Sequence, residues 1–111
     1  MQRVAFLLCT FVLVLPLAAQ ASPMPRNWHA PRWWLNEAIC IHDHEGAWND
    51  ETGNGYSGGL QFLPSTWASV GGTGSAGQAS IKEQLYRAWL VWKRDGDSWR
   101  EWGTAGVCGL T

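Results

Sequence analysis

The stretch from His42 to Trp67, HDHEGAWNDETGNGYSGGLQFLPSTW, decides how this chain folds. It sets Glu45 at the close of a segment with helical spacing, follows it with a turn signal at Asn54-Gly55, and then pairs Gly58 with Gly59. Adjacent glycines let a second backbone or a ligand approach closely, and Asn-Gly is the dipeptide that a type I′ hairpin turn prefers. An acid, a tight turn and a glycine-rich approach in that order predict a cleft.

Upstream of the stretch, Trp34, Ala38, Ile41 and Glu45 fall within about 60° of one another on a helical wheel, the narrow apolar stripe of a core-facing helix over Trp33 to Glu45. Asp43 lies about 160° from Glu45 on the same wheel, so the two acids should meet different surroundings. Before that helix, SPMPRNWHAP (Ser22 to Pro31) carries three prolines and no periodicity and reads as an extended leader that lies on the domain or leaves it.

The first 21 residues, MQRVAFLLCTFVLVLPLAAQA, have a basic start at Arg3, an apolar run from Val4 to Ala19, and small residues at Ala19 and Ala21. This is the pattern of a secretory signal peptide, too short to span a bilayer, with cleavage expected after Ala21. No stable membrane association is expected once it is removed. The expected organisation is a signal peptide over 1–21, a leader over 22–32 and one domain over 33–111.

Of the 111 residues, 90 remain after position 21, and loss of Arg3 takes the net charge from −1 to −2. A domain of that size buries only about 60–65% of its unfolded surface and gains from a covalent staple. Cys40 and Cys108 are the only cysteines left in the exported part. They predict one disulfide, worth about 4 kcal/mol on the chain-entropy account. All nine tryptophans lie in this part, more than so small a core should hold, so some are expected on a carbohydrate groove. A near-balanced charge without a basic run gives no footing for nucleic acid.

Downstream of the stretch, glycines and asparagines between Trp48 and Phe62 predict a small β-hairpin turning at Thr52-Gly53-Asn54-Gly55-Tyr56. Pro64 to Val70 predicts a short helix closed by Gly71-Gly72. Ser80 with Glu83 makes a capping box ahead of the stripe Ile81, Leu85, Ala88, Trp89 and Trp92, a helix that should run to about Arg94. An aromatic turn from Ser98 to Gly103 then leads to Cys108.

A carboxylic acid at the end of an apolar stripe loses solvation, which favours the neutral form that can donate a proton. Glu45 is the candidate general acid on that ground, although an acid just past a helix end can equally be a solvated surface group. His42, Asp43, His44 and Glu45 are metal-ligand types, but residues two apart on a helix point about 200° from each other and no HExxH spacing occurs, so no metal is expected. Cys40 with His44 could imitate a thiol peptidase, but a disulfide consumes the nucleophile. No cofactor is expected.

EGAWN followed by GGLQFLPSTW resembles lytic transglycosylases of the goose-type-lysozyme-like group. TGNGYSGGLQF, with the paired cysteines and the aromatic carboxyl end, is closer still to the resuscitation-promoting-factor and related transglycosylase-like domains, over about Trp34 to Cys108. The resemblance implies an α+β, mostly α, lysozyme-like domain with a short hairpin and one disulfide. It implies a secreted or wall-associated enzyme, expected to be monomeric, that acts on peptidoglycan strands at the β-1,4 bond between N-acetylmuramic acid and N-acetylglucosamine. Glu45 would protonate the glycosidic oxygen and then act as base while the muramyl 6-hydroxyl closes an anhydro ring. Asn54, Tyr56, Gln61 and Trp67 would bind sugar, although on their own Asn54 equally suits the turn, Tyr56 a strand, Gln61 a surface strand and Trp67 the core.

In the resuscitation-promoting-factor pattern the acid follows the cysteine directly, whereas Ile41 follows Cys40 here, and counting back from TGNGY without gaps lands on Asp43. The helical phase and the EGAWN spacing favour Glu45. A muramidase using Asp43, Asp50 or Glu51 as second carboxylate, and a wall-binding module without turnover, are the competing expectations.

Overall fold

The computed structural model describes residues 10, 22–51 and 53–111. The expected signal peptide therefore lies, apart from Thr10, outside the described residues. Among the described residues no helix is long and apolar enough to cross a membrane.

Helix α1 spans Arg32–Asp43 and buries Trp34, Ala38 and Ile41 along the stripe expected from their spacing. Pro31 precedes it with an extended backbone, and His44 Nδ1 donates to the Cys40 carbonyl at 2.8 Å, satisfying one of the acceptors that a helix end leaves open. Helix α2, Pro64–Ser69, begins at the proline, whose missing N–H costs nothing in a first turn, and it buries Trp67. Helix α3, Ile81–Arg94, is capped by Ser80 Oγ, which accepts the Glu83 N–H at 3.1 Å. It buries Leu85, Ala88, Val91 and Trp92, together with the polar Gln84 and Arg87. Short 3-10 turns at Ala76–Gln78 and Gly103–Gly106 complete the order.

Tryptophan fills the core between α1 and α3. Trp34 stacks on Trp99 with ring centroids 5.1 Å apart and meets Trp89 edge-on at 5.3 Å, while Trp102 bridges Trp99 and Phe62 at 5.3 and 5.9 Å. Each such ring removed from water contributes about 1.5–3 kcal/mol. Five of the nine tryptophans are buried, Trp28, Trp48 and Trp89 are half-buried, and only Trp33 is mainly exposed. The expected surplus of groove tryptophans is thereby corrected, because edge-to-face packing fits eight indoles in or against one core. The disulfide Cys40–Cys108 closes the tail onto α1 with its Cα atoms 6.0 Å apart.

The leader lies on α3. Trp28 packs edge-on against Tyr86 at 5.2 Å, and Arg87, 1% exposed, donates from Nη2 to the Ser22 carbonyl.

The expected hairpin is not formed. Among the described residues the only pairing is one antiparallel bridge, Ser57 with Phe62, closed by N–H to carbonyl bonds of 3.0 and 2.9 Å. The chain reverses at Gly58 to Gln61 instead of Asn54-Gly55. A type I′ turn needs positive φ at both central residues, and only Gly55 (φ 92°) meets this, while Asn54 uses its side chain to accept the Tyr56 N–H at 3.0 Å. The Gly58 and Gly59 N–H groups, which could have extended a ladder, go to the Asp50 carbonyl and to Gln84 Oε1, both at 2.9 Å.

Candidate active site

The reversal at Gly58 to Gln61 is the floor on which the site is built. Gly59 must approach closely, since a Cβ there would lie 2.6 Å from Trp48 Cδ2 and 2.8 Å from His42 Nδ1. The His42 and Trp48 rings stack 3.9 Å apart, and His42 Nδ1 donates to the Gly59 carbonyl at 2.8 Å. Gln84, fully buried on α3, accepts the Gly59 N–H and donates to the Trp48 carbonyl at 2.9 Å. One turn is thus clamped by the end of α1 on one side and by α3 on the other.

Beside it opens a cleft of about 260 Å³ lined by Tyr56, Gln61, Phe62, Leu63, Thr66, Glu101 and Trp102. Trp102 is fixed there by its indole N–H, which donates to the Leu60 carbonyl at 2.8 Å. Glu45 follows the last turn of α1, its N–H bonded to the His42 carbonyl at 3.0 Å, and its side chain is half-buried. It is not one of the cleft's lining residues, and it connects to the residues around the cleft through Thr104 and through its neighbour Gly46. Thr104, two residues beyond Trp102, donates from Oγ1 to Glu45 Oε1 at 2.8 Å. Gly46, the next residue, packs so closely on the Gln61 amide that a Cβ would sit 3.1 Å from Nε2.

Of the residues expected to bind sugar, Tyr56 and Gln61 stand in the cleft. Asn54 is exposed, with its carbonyl oxygen engaged in its own turn. Trp67 is placed in the core: 2% exposed, edge-on to Phe62 at 5.1 Å, and donating its N–H to the Thr73 carbonyl at 3.1 Å. It supports the cleft from behind and offers no ring face to a ligand. Asp43 is exposed on the last turn of α1.

Sequence reasoning missed Leu63, Thr66, Glu101 and Thr104. The Glu101 carboxyl is raised above its ordinary range, first by burial and then by its hydrogen bond to and the charge of Asp95, with Arg94 opposing. Arg94 Nη2 meets Glu101 Oε2 at 3.3 Å. A glutamate beside the aromatic Trp102 was visible as a residue, but nothing local signalled that it would face a cleft. Cys40, His44 and Cys108 bring ligand-type atoms within 4.8 Å of one another, but both sulfurs are bonded to each other, which leaves only the imidazole.

A small helical core, a disulfide-held tail and a cleft beside a tethered glutamate mark a lysozyme-like domain. The chain belongs to the transglycosylase-like domain family, whose model matches residues 32–105. It is similar to resuscitation-promoting factor RpfE of Mycobacterium tuberculosis, 40% identical over 91 residues, which is 82% of this chain and 49% of the relative. It is likewise similar to resuscitation-promoting factor RpfC of the same species, 40% identical over 78% of this chain and 56% of the relative. A third relative, resuscitation-promoting factor Rpf of Micrococcus luteus, is 42% identical over 62% of this chain and 29% of its own length. The chain spans about half the length of the first two.

Proposed function

We propose that this protein is a secreted enzyme that cleaves peptidoglycan glycan strands at the β-1,4 bond between N-acetylmuramic acid and N-acetylglucosamine, as a lytic transglycosylase with Glu45 as its single acid and base. The observation that carries the reading is the Glu45 carboxyl, held by Thr104 Oγ1 at 2.8 Å two residues beyond the cleft-lining Trp102, with the next residue, Gly46, packed on the Gln61 amide. A positioned carboxyl can give its proton to the glycosidic oxygen and recover one from the muramyl 6-hydroxyl as the anhydro ring closes. Family membership and the resuscitation-promoting-factor relatives support the same substrate class.

Two acids that a hydrolase could use are already engaged in hydrogen bonds. Asp50 Oδ2 accepts from Gln61, and Glu51 Oε1 accepts from the Ser57 and Ser75 hydroxyls. Asp43 is exposed at the helix end, and among the described residues its carboxyl has no hydrogen bond such as the one Glu45 accepts from Thr104. A second reading, a muramidase, rests on Glu101, a carboxyl in the cleft wall that could serve as the partner acid. On either reading residues 1–21 are the export signal, 22–32 the leader and 33–111 the domain.

Digestion of purified peptidoglycan, with mass spectrometry of the products, tests the proposal. Anhydro-muropeptides are expected, lighter by one water than the reducing products of a muramidase. Glu45→Gln should abolish their release and Asp43→Asn should not. Normal turnover by Glu45→Gln would refute the assignment, and wall binding without any released muropeptide would refute the enzyme reading.

A further inference from the structure

Gln61 lines the cleft with its backbone in the left-handed region at φ 49°, where a side chain other than glycine is strained, and such strain persists only where surrounding contacts hold it. The holding contacts are specific. Gln61 Nε2 donates to Asp50 Oδ2 at 3.0 Å and to the Gly58 carbonyl at 2.9 Å. A carboxylate and a carbonyl only accept, so the amide can face them in one orientation, with both of its N–H groups used. Among the described residues nothing donates to the Gln61 side-chain carbonyl oxygen, the other polar atom of the side chain.

We propose that Asp50 is a positioning residue that fixes the Gln61 amide, so that the cleft presents an acceptor there and recognises a hydrogen-bond donor of the glycan, an N-acetyl N–H or a ring hydroxyl. Asp50 is suited to this because its own backbone is part of the same turn: its carbonyl accepts the Gly58 N–H at 2.9 Å. It is half-buried against Gly46, where a Cβ would come within 2.8 Å of Oδ2, so the carboxylate has little room to swing away. The ligand class rests on the glycan-cleaving reading above, whereas the link from Asp50 to Gln61 does not.

Two measurements on the whole chain keep those apart. In NMR of the free protein, the two Gln61 Nε2 protons should exchange with water at least about tenfold more slowly than those of a solvent-exposed glutamine such as Gln78, and Asp50→Ala should remove that protection. Titration with tri-N-acetylchitotriose should give binding about tenfold to a hundredfold weaker in Asp50→Ala than in the wild type, with Asp50→Asn, which keeps an acceptor, restored to within a few-fold. A merely structural role would lower the melting temperature of both variants without separating them in affinity. Unprotected Nε2 protons in the wild type, or contacts from those protons to the bound sugar, would overturn the proposal. Protection with the expected loss in Asp50→Ala but no sugar binding by the wild type would uphold the Asp50 to Gln61 link and overturn the glycan donor.

Discussion

Thr104 Oγ1 donates to Glu45 Oε1 at 2.8 Å across 59 positions of sequence, joining the 3-10 turn at Gly103–Gly106 to the end of α1. Thr104→Val keeps the shape of the side chain and removes this donor. A typical side-chain hydrogen bond is worth about 0.5–1.5 kcal/mol, so on the proposed function muropeptide release should fall about two- to tenfold and the melting temperature by about 2–12 °C. Turnover equal to wild type would mean that the carboxyl holds its place without Thr104.

The Cys40–Cys108 bridge spans a sequence separation of 68 and ties the turn that carries Thr104 to α1. Removing a cross-link over a loop of that length costs about 4 kcal/mol in the chain-entropy account. Reduction, or a double substitution to serine, should lower the melting temperature by about 15 °C or more and reduce cleavage at temperatures where the fold survives. Thermal melts with and without reductant check this.

Glu101 has a carboxyl whose proton affinity is raised by burial and by Asp95. Its folded-state pKa therefore lies above the ordinary value of 4.5, and the stability it contributes is present below that value and lost as pH rises through the folded one. Arg94 beside it limits the shift. Glu101→Gln keeps a neutral side chain at every pH, so the variant's melting temperature should decline less than that of the wild type between pH 4 and neutrality. Parallel melts across that range would sink the assignment if the two curves kept a constant offset.

Gly59 sits where the His42 and Trp48 rings meet it, with no room for a methyl group. Gly59→Ala should displace Trp48 and cost about 1–3 kcal/mol, a fall of roughly 4–20 °C in melting temperature, because an overpacked site must shift its neighbours. The 15N shifts of Gly58 to Gln61 should move with it, since those residues form the turn that the two rings clamp.

Local pattern carried much of this architecture. The stripes Trp34, Ala38, Ile41 and Leu85, Ala88, Trp92 mark the buried faces of α1 and α3 because a helix repeats every 3.6 residues whatever it later packs against. Ser80 as a cap and Pro64 as a helix start are equally local. The segment from Gly53 to Gln61 needs a different account, because Asn54-Gly55 has the composition of a hairpin turn and does not form one.

Residue order and spacing were enough for the set of helices, for the pairing of the two cysteines beyond position 21, and for a short list of acids and amides. Only folding in three dimensions decided that Trp67 belongs to the core, that Glu101 and Thr66 stand in the cleft, and that the chain reverses at Gly58 to Gln61. Those outcomes depend on which distant group satisfies each polar atom. Gln84, 25 residues beyond Gly59, takes its N–H, and Thr104 takes the carboxyl of Glu45. No spacing rule along the chain encodes partners that only meet when α1 and α3 close around the tryptophans.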